Sequence, residues 1–245
     1  MHNSNKPRPP EDYSIYLTAE NPPTIVGGQA VNVWALYYAG VADEYAPFVS
    51  RDIDVLGDRE TLKQIAKLVG LKPNYFSFKP PSNEVGYVAP QDEADEPFLI
   101  EVLKWVNGVT ADELLADSVI MGVGSKQVPV RVPSPVMLLK AKLANLDSIN
   151  QRGRQDAKHV YILFRLLPVY LSDIIASIKS GKRSERQVVN LLGNLLDIVS
   201  EARNEESLQK LELNSAELFQ GLPKDGLPKI TNFIEYQLKR VFPAD

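Results

Sequence analysis

Cysteine is absent from the 245-residue chain. That excludes a disulfide framework and thiolate metal sites, and it fits a reducing, cytoplasmic setting. No uninterrupted apolar run is long enough to span a bilayer, so no membrane partner is expected. The opening residues, MHNSNKPRPPEDYS, lack the apolar core of a secretory signal, and positions 1–20 read as a flexible N-terminal arm. Internal repeats and low-complexity tracts are missing too. What is present, 44% hydrophobic and 24% charged residues, is expected of a soluble globular protein. The length allows one large domain or two modest ones.

Charge is unevenly placed along the chain. Residues 1–125 carry 9 Lys/Arg against 18 Asp/Glu, residues 126–190 carry 12 against 4, and residues 191–245 carry 6 against 9. An acidic front beside a basic middle suits a polyanionic ligand held between a cation-binding site and a cationic wall. Attraction between the two halves explains the same pattern without any ligand.

The most informative stretch is 24–58. A β-branched run (Thr24, Ile25, Val26) is followed by Gly27-Gly28. A helical segment is then expected over 29–38, where Ala30, Val33, Trp34 and Tyr37 share one face. A Gly-Gly turn lets the backbone approach a bound group, and the helix start offers free N–H groups to a phosphate. A tight turn with no ligand accounts for the pair equally. Residues 39–50 read as an exposed loop. Asp52 and Asp54 then alternate with Ile53 and Val55, which places both carboxylates on one face of a strand. They repel each other unless a divalent metal, an Arg or Lys, or solvent lies between them.

Further on, Asp58 is positioned to cap a helix over 59–69 that Gly70 ends. Strands are expected at 75–78 and 86–89, on either side of a Pro-rich turn at 79–83, and an acidic loop at 90–97. The run 98–103 is wholly apolar except for Glu101, which predicts burial on both faces and a costly carboxylate. Such a group is a functional candidate or half of a structural ion pair, with Arg131 or Lys104 as partner. Thr110 and Glu113 form a capping box for a short helix, and 118–123 and 127–132 read as a hairpin. From 134 the chain turns helical, beginning with Ser134-Pro135, a cap followed by proline at the first helical position. Helices are expected over 134–146, from 154 with a break or kink at Pro168, and over 172–179, 185–203, 207–219 and 227–241. Lys140, Lys142, Arg152, Arg154 and Lys158 can be read as a solvated basic face, Asp156 as a local cap, and His159 as a packed or surface histidine.

The order of these elements resembles the nucleotidyltransferase fold, the superfamily of DNA polymerase beta and the minimal nucleotidyltransferases. Gly27-Gly28 matches the Gly-Gly/Gly-Ser motif and Asp52 and Asp54 the paired metal ligands. Glu101 matches the third carboxylate, more often Asp. Ser50 fits the hydroxyl position before the aspartates, while Phe48 stands where the family often has Arg. Ser134-Pro135, the helix holding Lys142, then Arg152 and Gln155-Asp156 are similar to the AbiEii-type toxin branch. Gln155 replaces the usual lysine there and His159 the usual second aspartate. The resemblance spans about 24–165.

It implies an α+β fold with a nucleotidyltransferase-type mixed sheet flanked by helices over 21–133, followed by a C-terminal helical domain over 134–245. It implies Mg²⁺ or Mn²⁺ on Asp52, Asp54 and Glu101, with an NTP as donor. Gly27, Gly28 and Gln29 would cradle the triphosphate and Ser50 would donate to a phosphate oxygen. Lys142 would meet the nucleotide or orient Asp156. The implied activity is transfer of a nucleoside monophosphate to a hydroxyl of an RNA, tRNA or protein acceptor, in a toxin with an antitoxin-like protein partner. A catalytically silent binding module and a small-molecule adenylyltransferase are the alternatives.

Overall fold

A computed structural model describes residues 6–14, 16–17, 21–77, 82–91 and 97–243. The protein is α+β. Among the described residues there are seven strands, β1 (Thr24–Val26), β2 (Asp52–Leu56), β3 (Asn74–Tyr75), β4 (Glu84–Val88), β5 (Leu99–Leu103), β6 (Val119–Val123) and β7 (Val128–Val132). They form one mixed sheet in the order β3-β4-β5-β2-β1-β7-β6. The parallel neighbours are β2 with β5 and β1 with β7, and the other pairs are antiparallel.

Alternation in the sequence decides what each face of the sheet does. The parallel register sets Ile53 against Ile100 and Val55 against Val102, and all four are fully buried. The same register sets Asp54 against Glu101, on the face that carries Asp52. Strand β5 therefore departs from the expectation of burial on both faces. Ile100 and Val102 are buried, while Leu99, Glu101 and Leu103 are half-buried, because the second face borders a cleft rather than a covering layer.

Helix α1 (Pro10–Ser14) precedes the sheet, and α2 (Gly27–Tyr37) leaves β1 directly. The expected free arm is packed over part of its length. Tyr13 and Leu17 are fully buried, and Arg8 exchanges backbone hydrogen bonds with Ser50 at 2.7 and 3.0 Å. Residues 1–5, 15 and 18–20 of the arm, the acidic positions 92–96 and most of the Pro-rich turn lie outside the described residues. The loop after α2 is docked rather than free. Tyr45 stacks on Tyr161, Arg165 pairs with Glu44 at 2.9 Å, and Lys158 donates to the Pro47 carbonyl.

Local capping follows the sequence. Asp58 caps α3 (Arg59–Leu68), Thr110 and Glu113 box the start of α4 (Ala111–Ala116), and Ser134 caps α5 (Pro135–Ser148). Helix α6 (Asp156–Lys179) runs unbroken through Pro168 for 24 residues, joining segments expected to be separate. Proline removes one helical hydrogen bond, but buried residues on both sides of it, Phe164 to Ile175, hold one axis. By length and composition α6 could cross a membrane, yet it carries eleven buried residues inside this fold. The expected helix over 185–203 ends early: α7 (Glu185–Ser200) stops at Glu201, whose extended backbone starts α8 (Ala202–Lys210). A 3₁₀ turn at Ser215–Phe219 and α9 (Pro228–Asn232) follow.

One continuous apolar cluster links the sheet to α2, α5, α6 and α7. The expected boundary at 133/134 therefore does not separate two cores. The Trp34 indole also donates at 2.8 Å to the carbonyl of Pro133, the last residue before that boundary.

Candidate active site

Helix α2 begins at Gly27 with Val26 in the cap position, and no side chain caps it. Its first N–H groups are left for another acceptor, since a helix start has four unsatisfied donors. A Ser, Thr, Asp or Asn cap would have stabilised it by about 1 kcal/mol. Gly27 has φ +66°, and a methyl group there would collide with the Asp54 carboxylate. A Cβ at Gly28 would sit 2.8 Å from His159 Cε1 and 3.4 Å from Ser50 Oγ. Gly27 thus lets the helix start lie against the acidic face of β2, and Gly28 lets it lie against His159 and Ser50.

That face forms one wall of a cavity of about 350 Å³. Gly27, Gly28, Ser50, Asp52, Asp54, Glu101, Lys142 and Asp156 all line it. Gln29 does not. Its side chain is buried beneath the helix start, donating to the Arg8 carbonyl at 2.9 Å and accepting from Asn32 at 3.0 Å. Ser50 Oγ donates to Asp52 Oδ1 at 3.2 Å, so the hydroxyl is engaged by the carboxylate.

The carboxylates feel one another. Burial, then the charges of Asp52 and Glu101, push the Asp54 carboxyl up to about 8. Burial, then Asp52 and Glu84, raise Glu101 to about 7. Neither Arg131 nor Lys104 makes an ion pair with Glu101 among the described residues; Arg131 donates instead to Asn21. The three acidic side chains supply only oxygen donors, and their mutual repulsion is the cost a hard divalent cation would remove. By donor chemistry they fit Mg²⁺. In this conformation, among the described residues, no three His, Cys, Asp or Glu side chains are gathered closely enough to hold a metal ion.

Another part of the lining is cationic and internally paired. Lys142 Nζ lies 2.7 Å from Asp156 Oδ1, and Arg154 Nε 2.6 Å from Asp156 Oδ2. Asn145 also donates to Asp156 Oδ1 at 3.3 Å. Burial pushes the Asp156 carboxyl up, but Lys142 and Arg154 outweigh it and hold it at about 2. Lys142 and Asp156 are almost fully buried, while Arg154 reaches the cavity with 41% of its side chain exposed. The reading of this region as a solvated basic face fails for Lys142. Lys140 is tied to Glu113 at 2.6 Å.

His159 is buried, and among the described residues neither ring nitrogen has a hydrogen-bond partner. Burial, then the nearby Lys142 charge, lowers its pKa to about 3, leaving the imidazole neutral. Sequence reasoning gave His159 no role and passed over Asn145. The signal was helical spacing: Asn145 lies three residues after Lys142, and His159 three after Asp156, so each shares a helix face with a residue already singled out.

Comparison of the chain with protein-family models, with curated proteins and with solved structures gave no match.

Proposed function

We propose that the protein is a metal-dependent nucleotidyltransferase of the nucleotidyltransferase fold, moving a nucleoside monophosphate from an NTP to a hydroxyl of an RNA, tRNA or protein acceptor. The observation that carries this reading is the meeting of three carboxylates, Asp52, Asp54 and Glu101, with an uncapped helix start on the lining of one cavity. The backbone N–H groups at Gly27 and Gly28 bind the triphosphate, as helix starts favour anions. Asp52, Asp54 and Glu101 would hold Mg²⁺ or Mn²⁺, which when bound offsets their repulsion and polarises the phosphate.

In the reaction the acceptor oxygen bonds to the α-phosphorus as the bond from that phosphorus to the bridging oxygen breaks. Pyrophosphate leaves, and the proton of the hydroxyl passes to a carboxylate. Glu101 lies on the cavity lining beside Asp52 and Asp54 and is the carboxylate we assign to that role, which needs hydrogen-bond reach of the acceptor hydroxyl. Lys142 keeps Asp156 ionised and fixed, which orients Arg154 toward the cavity.

A second reading, a silent binding module of the same fold, is favoured by the failure of the three carboxylates to gather around one point. Incubation with each α-³²P-labelled NTP, Mg²⁺ and either total tRNA or a protein extract separates the two. The enzyme reading expects label in one acceptor class, at least about a hundredfold reduced by Asp54→Asn. Nucleotide binding without label transfer to tRNA or protein would favour the silent module.

A further inference from the structure

His159 is a buried side chain in this site whose chemistry the transfer reaction leaves unused. It is 5% exposed and lines the cavity, and both ring nitrogens lack a partner. An unsatisfied buried polar group costs about 1–3 kcal/mol, so a well-packed fold retains one where something else completes it. The imidazole edge lies against the first turn of α2, close to Gly28 and Ser50. The helix start there lacks a side-chain cap. Two deficits meet at one place: backbone donors without an acceptor, and an imidazole without partners.

We propose that His159 is a substrate-positioning residue. Its neutral imidazole N–H joins the Gly27–Gly28 amides in a hydrogen-bonded seat for a phosphate oxygen of the ligand. This rests on the reading of the α2 start as the phosphate end of the site. It adds a residue from α6 to that seat, so that the helical part of the chain grips the ligand as well as the sheet. An ionised phosphate presents only acceptors, and a neutral imidazole has one donor to offer. The remaining ring nitrogen, an acceptor, is left for water or for a hydroxyl of the ligand. Lys142 is committed to Asp156 and Arg154 holds it through Nε, while His159, beside Gly28, has no acceptor among the described residues.

The test uses inorganic pyrophosphate and the full chain, with Mg²⁺ present. The chain has two histidines, His2 and His159, so the imidazole nitrogens give a simple NMR spectrum. Pyrophosphate should move the His159 nitrogen signals and leave those of His2 in place. His159→Leu should weaken pyrophosphate binding at least about tenfold, as expected for a lost hydrogen bond to a charged group. His159→Gln, which keeps an N–H donor, should stay within about threefold of wild type. Because the leucine variant removes an unsatisfied polar group, its Tm should equal or exceed that of wild type. Unchanged affinity in His159→Leu, or saturation with pyrophosphate while the His159 signals stay still, would overturn the proposal.

A parallel titration with NTP separates this proposal from the parent reading. If Asp52 and Asp54 are required for Mg²⁺-dependent NTP binding and His159 is not, the enzyme reading stands and the His159 seat falls. If pyrophosphate needs His159 but no NTP binds, the seat stands and the enzyme reading falls.

Discussion

Asp54 and Glu101 hold protons in the folded protein that their unfolded counterparts release. Their folded values of about 8 and about 7 lie above the ordinary 3.8 and 4.5. The unfolded chain therefore loses these protons first as pH rises, and stability from this source falls between about pH 4 and 8. Asp156 has the opposite sign. Its folded value of about 2, below 3.8, contributes stability above pH 4 that disappears as pH falls toward 2. In a metal-free buffer these groups place the Tm maximum at about pH 4, with a decline toward pH 8. Asp54→Asn should flatten the decline on the alkaline side, by about 1–3 kcal/mol at pH 8 in urea unfolding. The buried pair gives a second expectation. Lys142→Met leaves Asp156 with the more exposed Arg154 as its paired cation and should cost about 3 kcal/mol, while the Lys142→Met/Asp156→Leu double variant should cost less than either single change. A double-mutant cycle read by urea unfolding checks this.

At the scale of elements, α2 and α6 carry the site between them. A side chain at Gly27 would be strained at φ +66° and would strike Asp54. Gly27→Ala should therefore lower the Tm and weaken triphosphate binding together, by about 2 kcal/mol or more of stability. Differential scanning calorimetry beside a nucleotide titration reads both. Pro168 in α6 is separated from the cavity by more than two helical turns, so Pro168→Ala should raise stability by about 1–3 kcal/mol and leave binding unchanged. The elements that local chemistry dictates were legible in the sequence: the caps Asp58, Thr110 and Ser134, the Asp-Ile-Asp alternation, and the hairpin at Gly124. The continuity of α6 through Pro168 was not, because long-range burial of Phe164 to Ile175 outweighs a local breaker. The two-sided burial expected around Glu101 failed for the same kind of reason. Apolar composition cannot say whether a second layer covers a strand or a cleft opens beside it. Most candidate site residues do share one cavity; Gln29 is the exception, spent on holding Arg8.

For the whole molecule, part of the charge asymmetry is met by ion pairs between the acidic front and the basic middle. Lys140 pairs with Glu113, Arg165 with Glu44, and Arg183 with Asp117, each linking the basic middle to the acidic front. This favours attraction between the halves over a broad cationic wall. Few cations remain to meet an RNA near the cavity, Arg51 and Arg154 among them. A tRNA complex should therefore show a shallow salt dependence, with a log–log slope of about −1 to −2, measurable by filter binding from 50 to 200 mM salt. A steep slope would indicate a phosphate-tracking surface elsewhere on the molecule.

The most direct measurement is calorimetric titration of each nucleoside triphosphate, with and without Mg²⁺, into wild type and the Asp52→Ala/Asp54→Ala variant. The expected result is binding of at least one triphosphate that requires both the metal and the two aspartates. A well-folded wild type that binds no triphosphate, or a double variant that binds as tightly as wild type, would contradict the assignment of this cavity as a nucleotidyl-transfer site.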